Sequence, residues 1–127
     1  MKRTLYQFLL LLFLLTGCND PKPVTDALTR AEALMNEYPD SAWAVLNTLS
    51  PDEMGQNRTR AHYALLYTQA QDKTYRDETN DSLISIAVDY YRHTDDARHK
   101  FLSYYYKGRV HFNVKRSKVV KMGMLKN

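Results

Sequence analysis

From Val24 onward the apolar residues recur at steps of three and four, and no stretch alternates with period two. That spacing builds helices with one oily side rather than strands. In the first segment Val24, Ala27, Leu28, Ala31, Leu34, Met35 and Tyr38 form one stripe, which Pro39 stops. A second short helix, capped by Asp40 or Ser41, turns Ala42, Val45, Leu46 and Leu49 inward with Trp43 beside them. Ser50-Pro51-Asp52-Glu53 has capping-box spacing, although Gly55 cuts off any helix it starts. The third segment, from 57 to 71, is apolar nearly all round. Ala61, Ala64, Leu65 and Thr68 lie on one side and Tyr63, Leu66, Tyr67 and Ala70 on the other, so this helix is expected between neighbours. After the polar loop 72–79, Asn80 or Asp81 caps a fourth helix with Leu83, Ile84, Ala87, Val88 and Tyr91 inward. A fifth begins near Asp95 or Asp96 and carries Phe101, Leu102, Tyr105, Gly108 and Phe112. The fold class is therefore all-α, with helices arranged as antiparallel hairpins.

The helix starts fall near 24, 41, 57, 81 and 96, so every second start is about 33 to 40 residues from the last, a helical-hairpin repeat. Ala27 stands twelve residues before Pro39, Ala87 four before Tyr91, and Tyr104, Gly108 and His111 repeat an aromatic-x3-Gly-x2-aromatic spacing. On these residues the chain resembles the tetratricopeptide repeat, with Lys107 and His111 departing from its apolar and aromatic positions. The resemblance implies a degenerate tetratricopeptide-like solenoid. The phrases Pro39-Asp40-Ser41-Ala42, Arg60-Ala61-His62-Tyr63-Ala64-Leu65-Leu66-Tyr67 and Asp81-Ser82-Leu83-Ile84 with Asp89-Tyr90-Tyr91 are similar to the first repeats of tetratricopeptide lipoproteins of the Bacteroides type. Relatives of that kind run through many more repeats, and some resemble membrane-tethered regulators.

The front of the chain is a different material. Lys2 and Arg3 precede an eleven-residue run, 5–15, interrupted only by Tyr6 and Gln7. A spanning helix needs about 20 apolar residues, so this is the layout of a signal peptide. Leu15-Thr16-Gly17-Cys18 follows and resembles the lipobox of bacterial lipoproteins. The resemblance implies that the Cys18 thiol takes a diacylglyceryl group and that a peptidase cuts after Gly17. Two or three acyl chains then hold the protein stably on a membrane. Asn19 does not match the enteric signal for inner-membrane retention, so the expected location is the cell envelope, in the outer rather than the inner membrane. A core cysteine behind an ordinary signal peptide is the alternative. The resulting division is a leader, 1–17, a linker, 18–23, helical repeats, 24–112, and a basic tail, 113–127.

Charge sets the tail apart. From 18 to 106 there are nine Lys+Arg against fourteen Asp+Glu, and from 107 to 127 seven Lys+Arg and no acid. Such a tail can touch anionic headgroups, end a truncated or frame-shifted repeat protein, or be plainly solvated. A nucleic-acid partner does not fit an exported chain.

Chemistry is sparse. His62, His93, His99 and His111 form no HxxxH, HExxH or Cys/His zinc spacing. Asp95 and Asp96 with His93 and His99 read as solvated helix-end residues, and Asp77, Asn80 and Asp81 as caps rather than a calcium loop. There is no phosphate loop and no nucleophile elbow, so no catalytic residue, metal or cofactor is expected. Tyr91 and Tyr105 are assigned to the core. Tyr63, Tyr67, Tyr90, Tyr104 and Tyr106 are the candidates to line a groove for a peptide, because tyrosine offers large contact area at small entropic cost. The expected function is a lipid-anchored envelope scaffold that binds a protein or peptide. The alternative is a remnant of a membrane-tethered sensor or transcriptional regulator without its output domain.

Overall fold

A computed structural model describes residues 2–15 and 20–125. Six α-helices run α1 (Lys2–Leu15), α2 (Lys22–Leu34), α3 (Pro39–Leu46), α4 (Asn57–Lys73), α5 (Ser82–Tyr91) and α6 (Ala97–Leu125), with a 3-10 turn at Pro51–Glu53. Among the described residues there is no strand, and no helix is long and apolar enough to cross a membrane. The protein is all-α, and its helices pack on one another in a repeat-like stack. α2 pairs with α3 and α4 with α5, while α2 and α6 both lie against α4.

α4 is the centre of this arrangement. Its Tyr63, Leu66 and Ala70 join Leu28, Ala31, Met35, Ala42, Leu46 and Met54 in one core. Its Ala61, Ala64 and Leu65 join Ile84, Ala87, Tyr91, Tyr106 and Val110 in a second. Two apolar faces on one helix thus weld two hairpins together, as the sequence pattern requires. Alanines at the contacts let helix axes approach closely, and the tyrosine rings fill what remains.

Prolines and carboxylates set the boundaries. α2 ends at Leu34 and Pro39 opens α3, where its missing N–H and fixed φ suit the first helical position. Neither Asp40 nor Ser41 caps α3, because Tyr38 holds that position, and Tyr38 itself is exposed rather than part of the α2 stripe. The Asn80 Oδ1 accepts the Ser82 N–H at 2.9 Å, and the Asp96 Oδ1 accepts the His99 N–H at 3.1 Å, closing the starts of α5 and α6. At the front of the stack Asp20 accepts the N–H groups of Gly55 and Gln56 at 2.7 and 3.1 Å. The linker is thereby pinned to the start of α4. The Thr59 hydroxyl, first, and these amides hold the Asp20 carboxyl below its ordinary value.

α6 differs from expectation in two ways. Its buried stripe is Ser103, Tyr106, Val110 and Asn113, whereas Phe101, Tyr105 and Phe112 are more than half exposed. Tyr105 is thus corrected from core to surface. The helix also continues through the basic tail to Leu125. Arg109 Nε donates to Asp72 at 2.9 Å, His111 Nε2 to Asp81 at 2.9 Å, and Arg116 pairs with Asp77. Two of the seven basic residues from 107 on, Arg109 and Arg116, are therefore paired with acids at the end of α4 and in the loop that precedes α5. Beyond Ser117 every described side chain is exposed, including Val119, Val120, Met122, Met124 and Leu125.

Thr16, Gly17 and Cys18 lie outside the described residues. α1 ends at Leu15, and residues 2–11 are all exposed.

Candidate functional site

α2, α4 and α6 each bury one stripe against a neighbour, Leu28 and Ala31 on α2 and Ser103, Tyr106, Val110 and Asn113 on α6, and residues of α2, α4 and the start of α6 line a groove of about 730 Å³. Thr25, Thr29 and Glu32 come from α2, Arg58 and His62 from α4, and Asp96 and His99 from the turn into α6. Tyr90 and Tyr91 form its wall.

Glu32 is the hub of this surface. Its Oε2 accepts His62 Nε2 at 2.9 Å, and its Oε1 accepts both His99 Nε2 and Arg98 Nη1 at 2.7 Å. His99 Nδ1 in turn donates to Asp96 Oδ2 at 2.5 Å, so both ring nitrogens of His99 face carboxylates. The side chains of Glu32, His62 and His99 are only 21%, 21% and 18% exposed, and charge-assisted bonds in such partly dry surroundings are short and strong. The His62 bond, then the His99 bond, draw the Glu32 carboxyl down to about 2 against the opposing effect of burial. His99 likewise holds Asp96 below its ordinary value. The His62 and His99 rings meet edge to face at 5.4 Å, and the buried Tyr91 ring stacks under His99 at 5.2 Å. Packing therefore locks the orientation that the hydrogen bonds select.

The tyrosines do not gather at this site. Tyr63 and Tyr106 are buried, one in each core, and burial raises both phenols to about 12. Their assignment to a binding face is corrected, because each ring fills a gap between helices. Tyr67 is half-buried against Trp43 at 4.7 Å and Tyr63 at 5.4 Å. Tyr104 is exposed on α6, away from the groove lining. Tyr90 alone of the five lines the groove, and it also borders a second cleft of about 520 Å³ with Asn57, Ile86, Asp89 and His93.

Glu32 and His62 are not among the residues that the sequence marks for a function, and His99 and Asp96 are expected there only as solvated helix-end residues. His62 stands 30 residues from Glu32 and His99 stands 67, so no local spacing marks them. Of the four residues grouped near the α5–α6 turn, His99 and Asp96 do bond to each other, while His93 is exposed beside Arg92.

No family model, curated protein or solved structure matches this chain.

Proposed function

We propose that the protein is a scaffold, held on the cell envelope by a lipid on Cys18, that binds a segment of another protein in the groove between α2, α4 and α6. The groove itself carries this reading. Its volume is about 730 Å³, and hydrogen-bonding groups converge there from three helices. The lipobox-like Leu15-Thr16-Gly17-Cys18 and the tetratricopeptide-like spacing support the anchor and the scaffold in turn.

Two measurements test it. A photocrosslinking residue at Thr29 should give an adduct in intact cells that the same residue at Ser117 does not. Equal adducts at both positions, or none at Thr29, overturn the binding reading. Labelling with a tagged fatty acid should be lost in Cys18→Ala, and unaltered labelling ends the anchor.

The bare aromatic stripe of α6 favours a second reading, in which this chain is a truncated remnant of a membrane-tethered repeat sensor or transcriptional regulator without its output domain. Phe101, Tyr105 and Phe112 lie one or two turns apart, and Gly108 among them has open space beside its Cα. A helix packed there would come close to the Gly108 backbone. Repeats encoded in any frame downstream of codon 107 support this reading, and their absence overturns it.

A further inference from the structure

We propose that Glu32, His62 and His99 form a site for zinc or a similar divalent transition metal on the floor of the groove. One donor atom from each side chain lies within 4.8 Å of the other two. The three residues come from three different helices, α2, α4 and α6, each held by its own buried stripe. Zinc binds imidazole nitrogen and carboxylate oxygen at about 2.0–2.2 Å, so sub-ångström to ångström shifts of three partly exposed side chains complete the contact. Two histidines and one carboxylate leave a fourth position open, and here it faces the groove.

The surroundings match what a metal ligand needs. His99 uses Nδ1 on Asp96, which fixes the ring and turns Nε2 toward Glu32. Such a carboxylate behind a ligating imidazole orients the ring and raises its basicity. Tyr91 stacked under the ring limits its rotation. Imidazole and a single carboxylate suit zinc better than calcium or magnesium, which prefer six or more oxygens. Arg98 opposes the ion, since its guanidinium sits 2.7 Å from Glu32 Oε1, but that side chain is 63% exposed and free to swing into water. The assignment is independent of what the groove binds: a failed metal titration leaves the crosslinking result standing, and the reverse.

The test uses the full chain in detergent, titrated with cobalt followed by visible absorption, then with zinc against a chromogenic chelator. One tetrahedral cobalt per chain is expected, displaced by zinc and not by calcium or magnesium. Asp96→Asn should weaken binding roughly 10–100-fold, and His62→Gln or His99→Gln by more than that. His93→Gln, His111→Gln and Cys18→Ser should leave it unchanged. Arg98→Gln should tighten it, a readout that does not depend on any variant losing its fold. Binding that persists in the His62→Gln/His99→Gln double variant, or no cobalt absorption in the folded wild-type chain, overturns the site.

Discussion

Glu32 on α2 and His99 on α6, 67 residues apart in sequence, share a 2.7 Å hydrogen bond that ties the first helix of the stack to the last. The carboxyl that accepts it ordinarily titrates at 4.5 and here near 2. A depressed carboxyl favours folding where it is ionised. Its contribution is fully present above about pH 4.5 and drains away as pH falls toward 2. Allowing for screening by water in the groove, that contribution is about 1–2 kcal/mol. Glu32→Gln should therefore melt below the wild-type chain at neutral pH, with the gap closing as pH drops from 4.5 toward 2. Thermal scans across that range decide it, and a constant gap rules the linkage out.

Two aromatic residues five positions apart on α6 should behave oppositely. Tyr106 is 5% exposed in the second core, and removing so large a buried ring costs about 3–5 kcal/mol. Phe101 is 67% exposed, so Phe101→Ala should move the urea midpoint by less than about 0.5 kcal/mol equivalent. Phe101→Ser with Phe112→Ser should also lower self-association in sedimentation, since contiguous exposed apolar surface drives it. Equal destabilisation by Tyr106→Ala and Phe101→Ala would mean that α6 is rotated from the orientation described.

The contrast also marks where the sequence is legible. α4 was readable because its two apolar faces are both rich in Ala and Leu, and a helix of that kind has to be covered twice. On α6 two stripes compete. The one through Phe101, Tyr105 and Phe112 is the more apolar, yet the buried one runs through Ser103, Tyr106, Val110 and Asn113. Ser103 hides its hydroxyl by donating to the His99 carbonyl at 2.7 Å, and Asn113 donates to the Glu78 carbonyl at 3.2 Å. Side-chain bonds of this sort make polar residues tolerable inside, and no periodicity count reveals them. The groove was hidden for a related reason. Glu32, His62 and His99 each sit singly on a polar helix face, and only the packing of three helices converts them into one cluster.

The basic half of α6 offers a graded pair of charge deletions. Arg109 donates to Asp72, whose side chain is 17% exposed, and this partner raises the guanidinium above its ordinary value. Removing Arg109 leaves a largely covered carboxylate without its cation, so Arg109→Gln should cost about 1–2 kcal/mol in urea unfolding. Arg116 and Asp77 are each about half exposed, and Arg116→Gln should cost no more than about 0.5 kcal/mol, vanishing in high salt. Reversal of that order would show that the loop 74–81 is held by its tip rather than by its base.

Tyr75 closes α4 in a conformation that favours another residue. Its φ is 60°, the left-handed region, and the backbone around it forms a helix-ending motif. The Arg76 N–H donates to the Gln71 carbonyl at 2.8 Å and the Tyr75 N–H to the Asp72 carbonyl at 3.2 Å. Glycine usually occupies this position, because a Cβ there costs roughly 1–2 kcal/mol. The Tyr75 ring is 92% exposed, so truncating it sacrifices no packing. Glycine returns part of the gain through the greater freedom of the unfolded chain. Tyr75→Gly should thus stabilise the protein by about 0.5–1 kcal/mol, and Tyr75→Ala by much less. Urea midpoints of the three chains at neutral pH measure the difference. A destabilised glycine variant would mean that the Tyr75 side chain holds the loop in place by a contact outweighing the backbone strain.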